Sequence, residues 1–373
     1  GAALRFGQGQ IDNFDQHFEN LHGDPRGGGG ELGFVNRLNI SLGQLDQHDP
    51  WALVQRDRDQ LSVGYLLEKM RFMTQSDLAT SKPAVLRTAM PAKLGASEPT
   101  GSGSANQGAA SPITLWAGGS IDFGLHSTGS GGPSFKFSTT GISVGADYRL
   151  SSQLTLGAGF GYGQDVSKIG QSGTVVTAND YAGAVYADFR PSKTTFVDGV
   201  VGYAQLDFSS QRHIAGAGGF AYGRRMGHDL FASFTGGWNW DVANWRVSPY
   251  GRANIIQGSL GGFTERTGGD YALSYASQTL SSLNGVIGVR GQGVYAIKGG
   301  FVEPRLQLEL QHDFKGAGVA SLAYADWNGG PTYAIAVDQS ARDHVLAGVG
   351  ADLKLKQTTV GLDYSAGFTS GQH

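Results

Sequence analysis

The chain has 373 residues and a formal net charge of −3, and only 16% of its residues are charged, so no basic stripe marks it as a nucleic-acid binder. It contains no cysteine, which excludes a disulfide framework and a cysteine metal site. No run approaches the roughly 18 apolar residues of a membrane helix, and the length fits two ordinary domains or one large all-β domain.

The N-terminal part is predicted to be mainly helical. Ile11, Phe14, Phe18 and Leu21 recur at helical spacing and predict a short amphipathic helix. Residues 32–45 fit either a helix or a strand, and residues 61–73 predict another helix. Residues 76–112 contain four prolines and a Gly-Ser run, which predicts a linker. No signal peptide opens the chain, so we expect its start to be that of a fragment.

From Ile113 onward, apolar residues recur at every second position, as in strands with one apolar and one polar face. The alternation is clearest near the end of the chain, where apolar Val302, Leu306 and Leu308 stand between polar residues. We predict eleven strands, near residues 113–123, 142–150, 154–162, 181–189, 194–208, 230–240, 247–255, 283–289, 302–310, 345–353 and 360–368.

The connections between these strands alternate in length. Short turns are predicted at 151–152, 191–193 and 243–245, and long loops near 126–134, 165–175, 209–227, 259–275 and 315–341. This pattern is typical of an up-and-down antiparallel outer-membrane barrel, whose two ends carry short turns and long loops. The low charge content favours an apolar face that points to lipid over a soluble β-sandwich.

In such a barrel, charged residues on the polar face line the lumen. We predict this position for Asp147, Arg149, Asp188, Arg190, Arg252, Arg290, Glu303, Arg305 and Glu309. These charges are expected to pair with each other and with whatever occupies the pore. Aromatic girdles at the two interfaces are predicted from Trp116, Trp238, Trp240, Trp245, Tyr250 and Trp327.

Three stretches resemble a known family. Residues 245–252 are similar to a family strand that carries an aromatic residue, a proline and a tyrosine where it enters the barrel. Residues 301–314 resemble a strand that begins near a proline and ends in His312 and Phe314, and Leu362-Asp363-Tyr364 resembles a later strand. Together with Arg342-Asp343, their order and spacing resemble the translocator domain of type V autotransporters, over roughly residues 113–373.

The resemblance implies a twelve-stranded transmembrane β-barrel that exports an N-terminal passenger and anchors it at the surface of a Gram-negative cell. Its implied partners are outer-membrane lipid, the barrel-assembly machinery and its own passenger, and we expect a monomer. Residues 1–75 would be a helical passenger tail or plug, 76–112 a linker and 113–373 the barrel. The family's last strand has no counterpart before His373, so two unpaired edges are expected. Residues 9–22 or 59–75 would have to supply the family's pore helix.

Three residue patterns are similar to those of enzyme or ligand sites, but each has a simpler structural explanation. Gly141-Ile-Ser143-Val-Gly145 matches a nucleophile-elbow pattern but lies inside a predicted strand. Alternating glycines from Gly157 to Gly163 indicate close packing against a neighbour or plug. His312, His344 and His373 stand near acidic residues without metal-ligand spacing.

We therefore predict no catalytic activity, cofactor or metal. No Asn-Asn junction occurs, so the family's self-cleavage is not implied. The alternatives are an outer-membrane barrel enzyme (protease or lipase), a porin or adhesin barrel with an N-terminal plug, and a soluble sandwich.

Overall fold

The computed structural model describes residues 2–22, 34–43, 113–126, 135–315, 318–327, 330–336, 342–355 and 358–369. All of them belong to the compact unit formed by Gly1–Asp46 and Ala109–His373. The predicted helix at 61–73 and the predicted linker at 76–112 lie outside the described residues.

The described residues of this unit form one long helix and eighteen strands. The helix is α1 (Ala2–His22), and a single turn of 3₁₀-helix spans Gly269–Tyr271. The strands are β1 (Phe34–Gly43), β2 (Ile113–His126), β3 (Phe135–Arg149), β4 (Leu154–Ile169), β5 (Thr174–Phe189), β6 (Thr195–His213), β7 (Phe220–Trp238), β8 (Trp240–Val242), β9 (Trp245–Leu260), β10 (Phe263–Thr264), β11 (Leu273–Tyr275), β12 (Gln278–Gly293), β13 (Tyr295–Ile297), β14 (Gly300–Asp313), β15 (Val319–Tyr324), β16 (Tyr333–Ala336), β17 (Asp343–Leu355) and β18 (Thr358–Thr369).

Twelve of the described strands pair in a closed ring. Going round it, the order is β1, β2, β3, β4, β5, β6, β7, β9, β12, β14, β17 and β18, and β18 pairs again with β1. The eleven strands predicted from the sequence are all present and are antiparallel to one another. The prediction of an all-β up-and-down barrel is therefore confirmed. Closing the sheet on itself leaves no unpaired strand edge, which a membrane-spanning sheet requires.

The twelfth strand is a correction to the sequence analysis, which expected two unpaired edges between the last and first strands. Strand β1 fills this position and runs parallel to both neighbours, with Leu38 in register with Leu362 on β18 and Gly119 on β2. Residues 32–45 fitted a helix or a strand equally well. The strand is adopted because the edges of β2 and β18 offer a full ladder of backbone hydrogen-bonding partners.

The apolar face of the ring points outward. Phe160, Val185 and Ile287 are 73%, 63% and 73% exposed, although all three lie in the middle of long strands. The polar residues that alternate with them are buried, as Ser143 and Asp147 show at 0% and 3% exposure. A soluble sandwich would bury the opposite face. The arrangement is therefore that of a barrel whose outer wall faces lipid.

Two predicted long loops are wrong, because the strands continue through them. Strands β4 and β5 meet in a tight turn in which Gly170 and Gly173 have φ of 63° and 85°, a conformation that suits glycine. Strands β6 and β7 likewise extend to His213 and from Phe220. Near its end a strand can carry polar residues on both faces, so the alternation fades while the backbone ladder continues.

The connections 261–277 and 314–342 contribute the strands of a separate small sheet, which consists of β10, β11, β15 and β16. Arg212 at the end of β6 holds this sheet through two hydrogen bonds to Glu265, of 2.8 and 2.6 Å. Burial and the neighbouring Glu265 carboxylate raise the pKa of Tyr275. Among the helices of the described residues, none is long and apolar enough to cross a membrane.

Candidate functional site

Helix α1 lies inside the ring. It contacts β2 to β7, β9 and β12, strands that surround it on several sides. Its apolar residues Phe6, Ile11, Phe14 and Phe18 are at most 2% exposed. The predicted amphipathic helix at 9–22 is thus confirmed, and it begins at Ala2, about two turns before residue 9.

A row of glycines on β4 makes room for the helix. A side chain at Gly159 would place its Cβ 3.0 Å from the ring of Phe14, and one at Gly163 would lie 2.9 Å from Phe6. At Gly161 a Cβ would collide with Gln10. The sequence analysis attributed this glycine row to close packing against a neighbour or plug, and α1 is that neighbour.

One side of the ring, which we name the acidic wall, carries six aspartates with at most 3% exposure on strands β3 to β7. They are Asp147, Asp165, Asp180, Asp188, Asp198 and Asp229. Helix α1 turns cationic and amide groups toward them. Arg5 donates to Asp165 at 2.7 Å, Gln10 donates to Asp180 at 2.9 Å, and His17 bonds Asp147 at 2.8 Å. Gln10 and His17 lie about two turns apart on one side of α1, and Arg5 reaches the same wall from the start of the helix.

Strands β9 and β12, which follow β7 in the ring, present arginines to the acidic residues Asp15 and Glu19 of α1. Arg252 on β9 forms ion pairs with Asp15 at 3.0 Å and with Glu309 of β14 at 2.7 Å. Arg290 on β12 pairs with Glu19 at 3.2 Å. Because each of these charges is largely shielded from water, an unpaired partner would be costly. The pairs therefore fix the rotation of the helix about its own axis.

His22 anchors the C-terminal end of α1. Its Nε2 lies 3.1 Å from Asp198 and 3.3 Å from Asp188, while Arg290 donates to its Nδ1 at 2.5 Å. Arg246 donates to the last carbonyl of the helix at 2.8 Å, where a cation is favourable.

The three side chains His22, Asp188 and Asp198 have the spacing of a metal site. However, a guanidinium can only donate, so Nδ1 accepts and Nε2 carries the proton toward the carboxylates. The arrangement is a hydrogen-bonded anchor for the helix.

A second charge cluster lies between β14 and β18, next to β1. Arg305 pairs with Asp352 and, at 2.7 Å, with Asp363. Glu303 pairs with Lys354 at 3.0 Å. These contacts link β14, β17 and β18 across the inner face of the sheet, so they brace the part of the ring beside the parallel strand.

The nine charged residues predicted for the lumen differ in how far their side chains are exposed. Five are buried, namely Asp147, Asp188, Glu303, Arg305 and Glu309. The side chains of Arg252 and Arg290 are 7% and 14% exposed. Arg190 lies partly exposed against Asp188, and Arg149 is exposed at the end of β3.

Two residues predicted for the aromatic girdles are inside instead. Trp116 stacks on His17 with ring centroids 4.3 Å apart, and its indole donates to Tyr186 at 2.6 Å. Tyr250 donates to Glu309 at 2.5 Å. Both occupy inward positions of their strands, a signal that the alternation of β2 and β9 already contained. Trp238 and Trp240 are exposed, at 56% and 59%.

The residues weighed for catalysis lie apart. Ser143 is fully buried inside the ring, where it contacts Asn13 and Gln10 of α1. His312 bonds Asp343 at 2.7 Å on the outer wall, with both side chains substantially exposed. The nucleophile pattern faces the lumen on β3 and the histidine faces outward on β14, so the two do not form one site.

A family model for the autotransporter β-domain matches residues 115–365. The chain belongs to this family. The match covers all eleven antiparallel strands of this autotransporter domain in whole or in part, and it agrees with the resemblance found in the sequence. No curated protein sequence matches the chain.

Solved structures of autotransporters are similar to this domain. The translocator domain of NalP from Neisseria meningitidis has a TM-score of 0.52 at 17% identity, over 68% of this chain and 80% of that chain. The β-domain of the Bordetella autotransporter Brka gives 0.44 at 20% identity over 62% and 86%, and the transport unit of AIDA-I from Escherichia coli gives 0.45 at 14% over 71% and 87%. At such identity the NalP likeness shows the fold.

Proposed function

We propose that this autotransporter domain exports a passenger located N-terminal to α1 and anchors it at the cell surface. One observation carries the proposal, namely that a helix near the chain's N-terminus fills the polar interior of a closed barrel. The likeness of the fold to the translocator domain of NalP supports it. The barrel itself is then a conduit without catalytic activity.

The direction of α1 supports an outward route for the passenger. Arg5, near its start, bonds Asp165 and Ser167, close to the end of the barrel where β4 and β5 meet. His22, at its end, contacts Asp188 and Asp198 beside the opposite turn between β5 and β6. In outer-membrane barrels the long loops are extracellular, and the connection 261–277 lies at the Arg5 end. A passenger preceding α1 would therefore emerge outside.

The charged lumen gives this route a physical basis. The acidic wall, together with the shielded residues Arg252, Arg290, Glu303, Arg305 and Glu309, supplies hydrogen-bonding groups to a polypeptide that has left water. A chain in transit must satisfy its backbone groups within the lumen. We infer that folding of the passenger outside supplies the directional bias, and that α1 is the segment held in the lumen when export ends.

The remaining assignments follow from this function. We propose residues 1–75 as passenger tail or plug, with β1 contributed to the barrel, residues 76–112 as linker and residues 113–373 as the translocator. The proposed location is the Gram-negative outer membrane with the N-terminal part exposed. The proposed partners are lipid, the barrel-assembly machinery and the passenger, and the proposed state is a monomer.

The proposal is tested by fusing a small folded reporter before Gly1 and treating intact Gram-negative cells with protease. The reporter is expected to be cleaved on intact cells. A matched fusion lacking β17 and β18 cannot close its ring, so its reporter is expected to be protected until the cells are lysed. A protected reporter on a barrel that still migrates as a compact band before boiling would contradict export, and would favour the porin with an N-terminal plug.

A further inference from the structure

Two lysines stand directly opposite each other on the outer wall of the barrel, and we name them the lysine pair. Lys136 of β3 is in register with Lys168 of β4, and both side chains are exposed. They face outward, because their chain neighbours Phe137 and Ser167 contact Arg5 of α1 inside the ring. Directly opposed residues on one face of a sheet have Cβ atoms about 5 Å apart, and like charges in that position are destabilising. An anion held between the two ammonium groups would remove this repulsion.

No carboxylate of the neighbouring strands neutralises the lysine pair. Residues 123–146 and 166–179, which surround it on β2 to β5, contain no aspartate or glutamate. The aspartates closest to these segments on β2, β4 and β5 occupy inward positions, and they are Asp122, Asp165 and Asp180. By contrast, Arg224, which also faces outward at this end of the barrel, has its own partner in Asp207. Neither lysine has an ion-pair partner among the described residues, so the pair is a local positive patch.

The lysine pair lies just beyond the hydrocarbon-facing part of the wall. The outward residues of β4 are apolar from Leu154 to Tyr162, and Gln164 is the first polar one. A tilted strand of about 9–11 residues crosses the hydrocarbon layer, so this layer ends near Gln164. Lys168 stands four residues further on, which is about 9 Å along the membrane normal at a tilt of about 45°. This is the depth of lipid headgroups, and a lysine side chain can bend back toward their phosphates.

From these features we propose that the lysine pair binds the phosphate group of a membrane lipid, with one ammonium on each side of it. Each ammonium offers three N–H donors, and a phosphate monoester with a charge of about −1.5 to −2 matches two of them. A free phosphate has the same chemistry, but a lipid is in addition held at this depth by its acyl chains against the apolar outward face.

The leaflet follows from the proposed function. The lysine pair lies at the end of the barrel where β4 and β5 meet, which is extracellular in the proposed orientation, so its lipid belongs to the outer leaflet. Binding of the phosphate itself requires only a bilayer and no passenger. A failure of lipid binding and a failure of export are therefore distinguishable.

The test uses the purified full chain in nanodiscs of phosphatidylcholine with a minor fraction of phosphatidic acid, whose photoreactive group lies on the acyl chain close to the headgroup. After irradiation, mass spectrometry measures the label on the outer ends of β3 and β4. Photoreactive phosphatidylcholine at the same fraction is the reference. We expect phosphatidic acid to be preferred by about twenty-five-fold, because a lysine near a membrane surface contributes about fivefold to the attraction for an anionic lipid.

Substitutions then assign the preference to the two side chains. Lys136→Gln and Lys168→Gln should each lower it about fivefold, and the double variant should label equally with both lipids. Arginine at both positions should retain the preference, because it keeps the charge. Lys193→Gln is the matched control, since Lys193 is an exposed lysine in the turn at the opposite end of β5, and it should change nothing. Compact migration before boiling shows that each variant is folded.

A soluble competitor distinguishes a lipid from a free phosphate. Glycerol 3-phosphate at the total concentration of the lipid probe should leave the labelling unchanged. If it abolished the preference, the patch would be a site for free anions and the lipid proposal would be overturned. Equal labelling of the wild type by the two lipids would also overturn it, and so would a preference that the double glutamine variant retains.

Discussion

Arg252 is the residue on which the contact between α1 and the barrel most depends. It lies between Asp15 of the helix and Glu309 of β14, and its own side chain is only 7% exposed. Tyr250 and Gln307 also direct hydrogen bonds to the same Glu309 carboxylate. Removing the arginine would leave two carboxylates facing each other in a shielded space, which is far more costly than loss of a surface ion pair.

We expect Arg252→Ala to lower the free energy of unfolding by about 3–5 kcal/mol. The measurement is urea unfolding of the detergent-solubilised protein, followed by tryptophan fluorescence. Arg224→Ala is the control, because Arg224 is 72% exposed in its pair with Asp207. The control should leave the free energy of unfolding nearly unchanged, because solvent screens an exposed pair. Equal effects of the two changes would show that the Arg252 network does not hold the helix.

The sequence located some of these residues but not their partners. Alternation on β9 and β14 placed Arg252 and Glu309 on the polar face, since period two determines the face of every residue in a regular strand. The same rule would have placed Trp116 inside, but its aromatic character suggested a girdle. Asp165 was assigned to a loop, because the polar residues after it hide the continuation of β4. Pairing with α1 depends on helix rotation, which strand periodicity does not specify.

At the scale of elements, β1 differs most from expectation. Eleven strands follow from alternation alone, because each buries a polar face and exposes an apolar one. The twelfth comes from a segment whose sequence suits two structures, about 70 residues before its neighbour β2 in the chain. Such long-range pairing cannot be derived from local pattern. Parallel pairing is also slightly less stable per residue than antiparallel pairing. Closure of the ring through β1 therefore requires a direct test.

Cysteine pairs test this closure, since the natural chain contains no cysteine. Asn39 is in register with Ser120 of β2. We expect Asn39→Cys with Ser120→Cys to form a disulfide under mild oxidation, because neighbouring strands in register bring these positions together. Proteolysis within 44–112, followed by non-reducing electrophoresis, detects the link.

Asn39→Cys with Asp122→Cys is the register-shifted control and should cross-link much less. If neither pair forms, or if the shifted pair forms equally well, the twelfth position is not occupied by β1 in this register.

At the scale of the whole molecule, the account joins a lipid-facing outer wall, a charged lumen and a helix that matches that lumen on two sides. Each part has a different physical origin. The outer wall follows from the alternation of apolar and polar residues and from the low charge content, and both can be read directly from the sequence. The lumen and its helix depend on complementary charges from distant parts of the chain, and only the folded ring brings these together. The position of the helix in the lumen is the observation on which the proposal of export rests.

The most direct measurement is therefore a cross-link between helix and lumen in native outer membranes. Asn13 of α1 donates to Ser143 of β3 at 2.9 Å. We expect Asn13→Cys with Ser143→Cys to form a disulfide that survives in a compact, unboiled band.

Asn13→Cys with Val144→Cys is the matched control, since Val144 is the next residue and faces outward at 47% exposure. It should not cross-link. A compact band without the first disulfide would mean that the barrel closes with α1 outside its lumen, and would contradict the account.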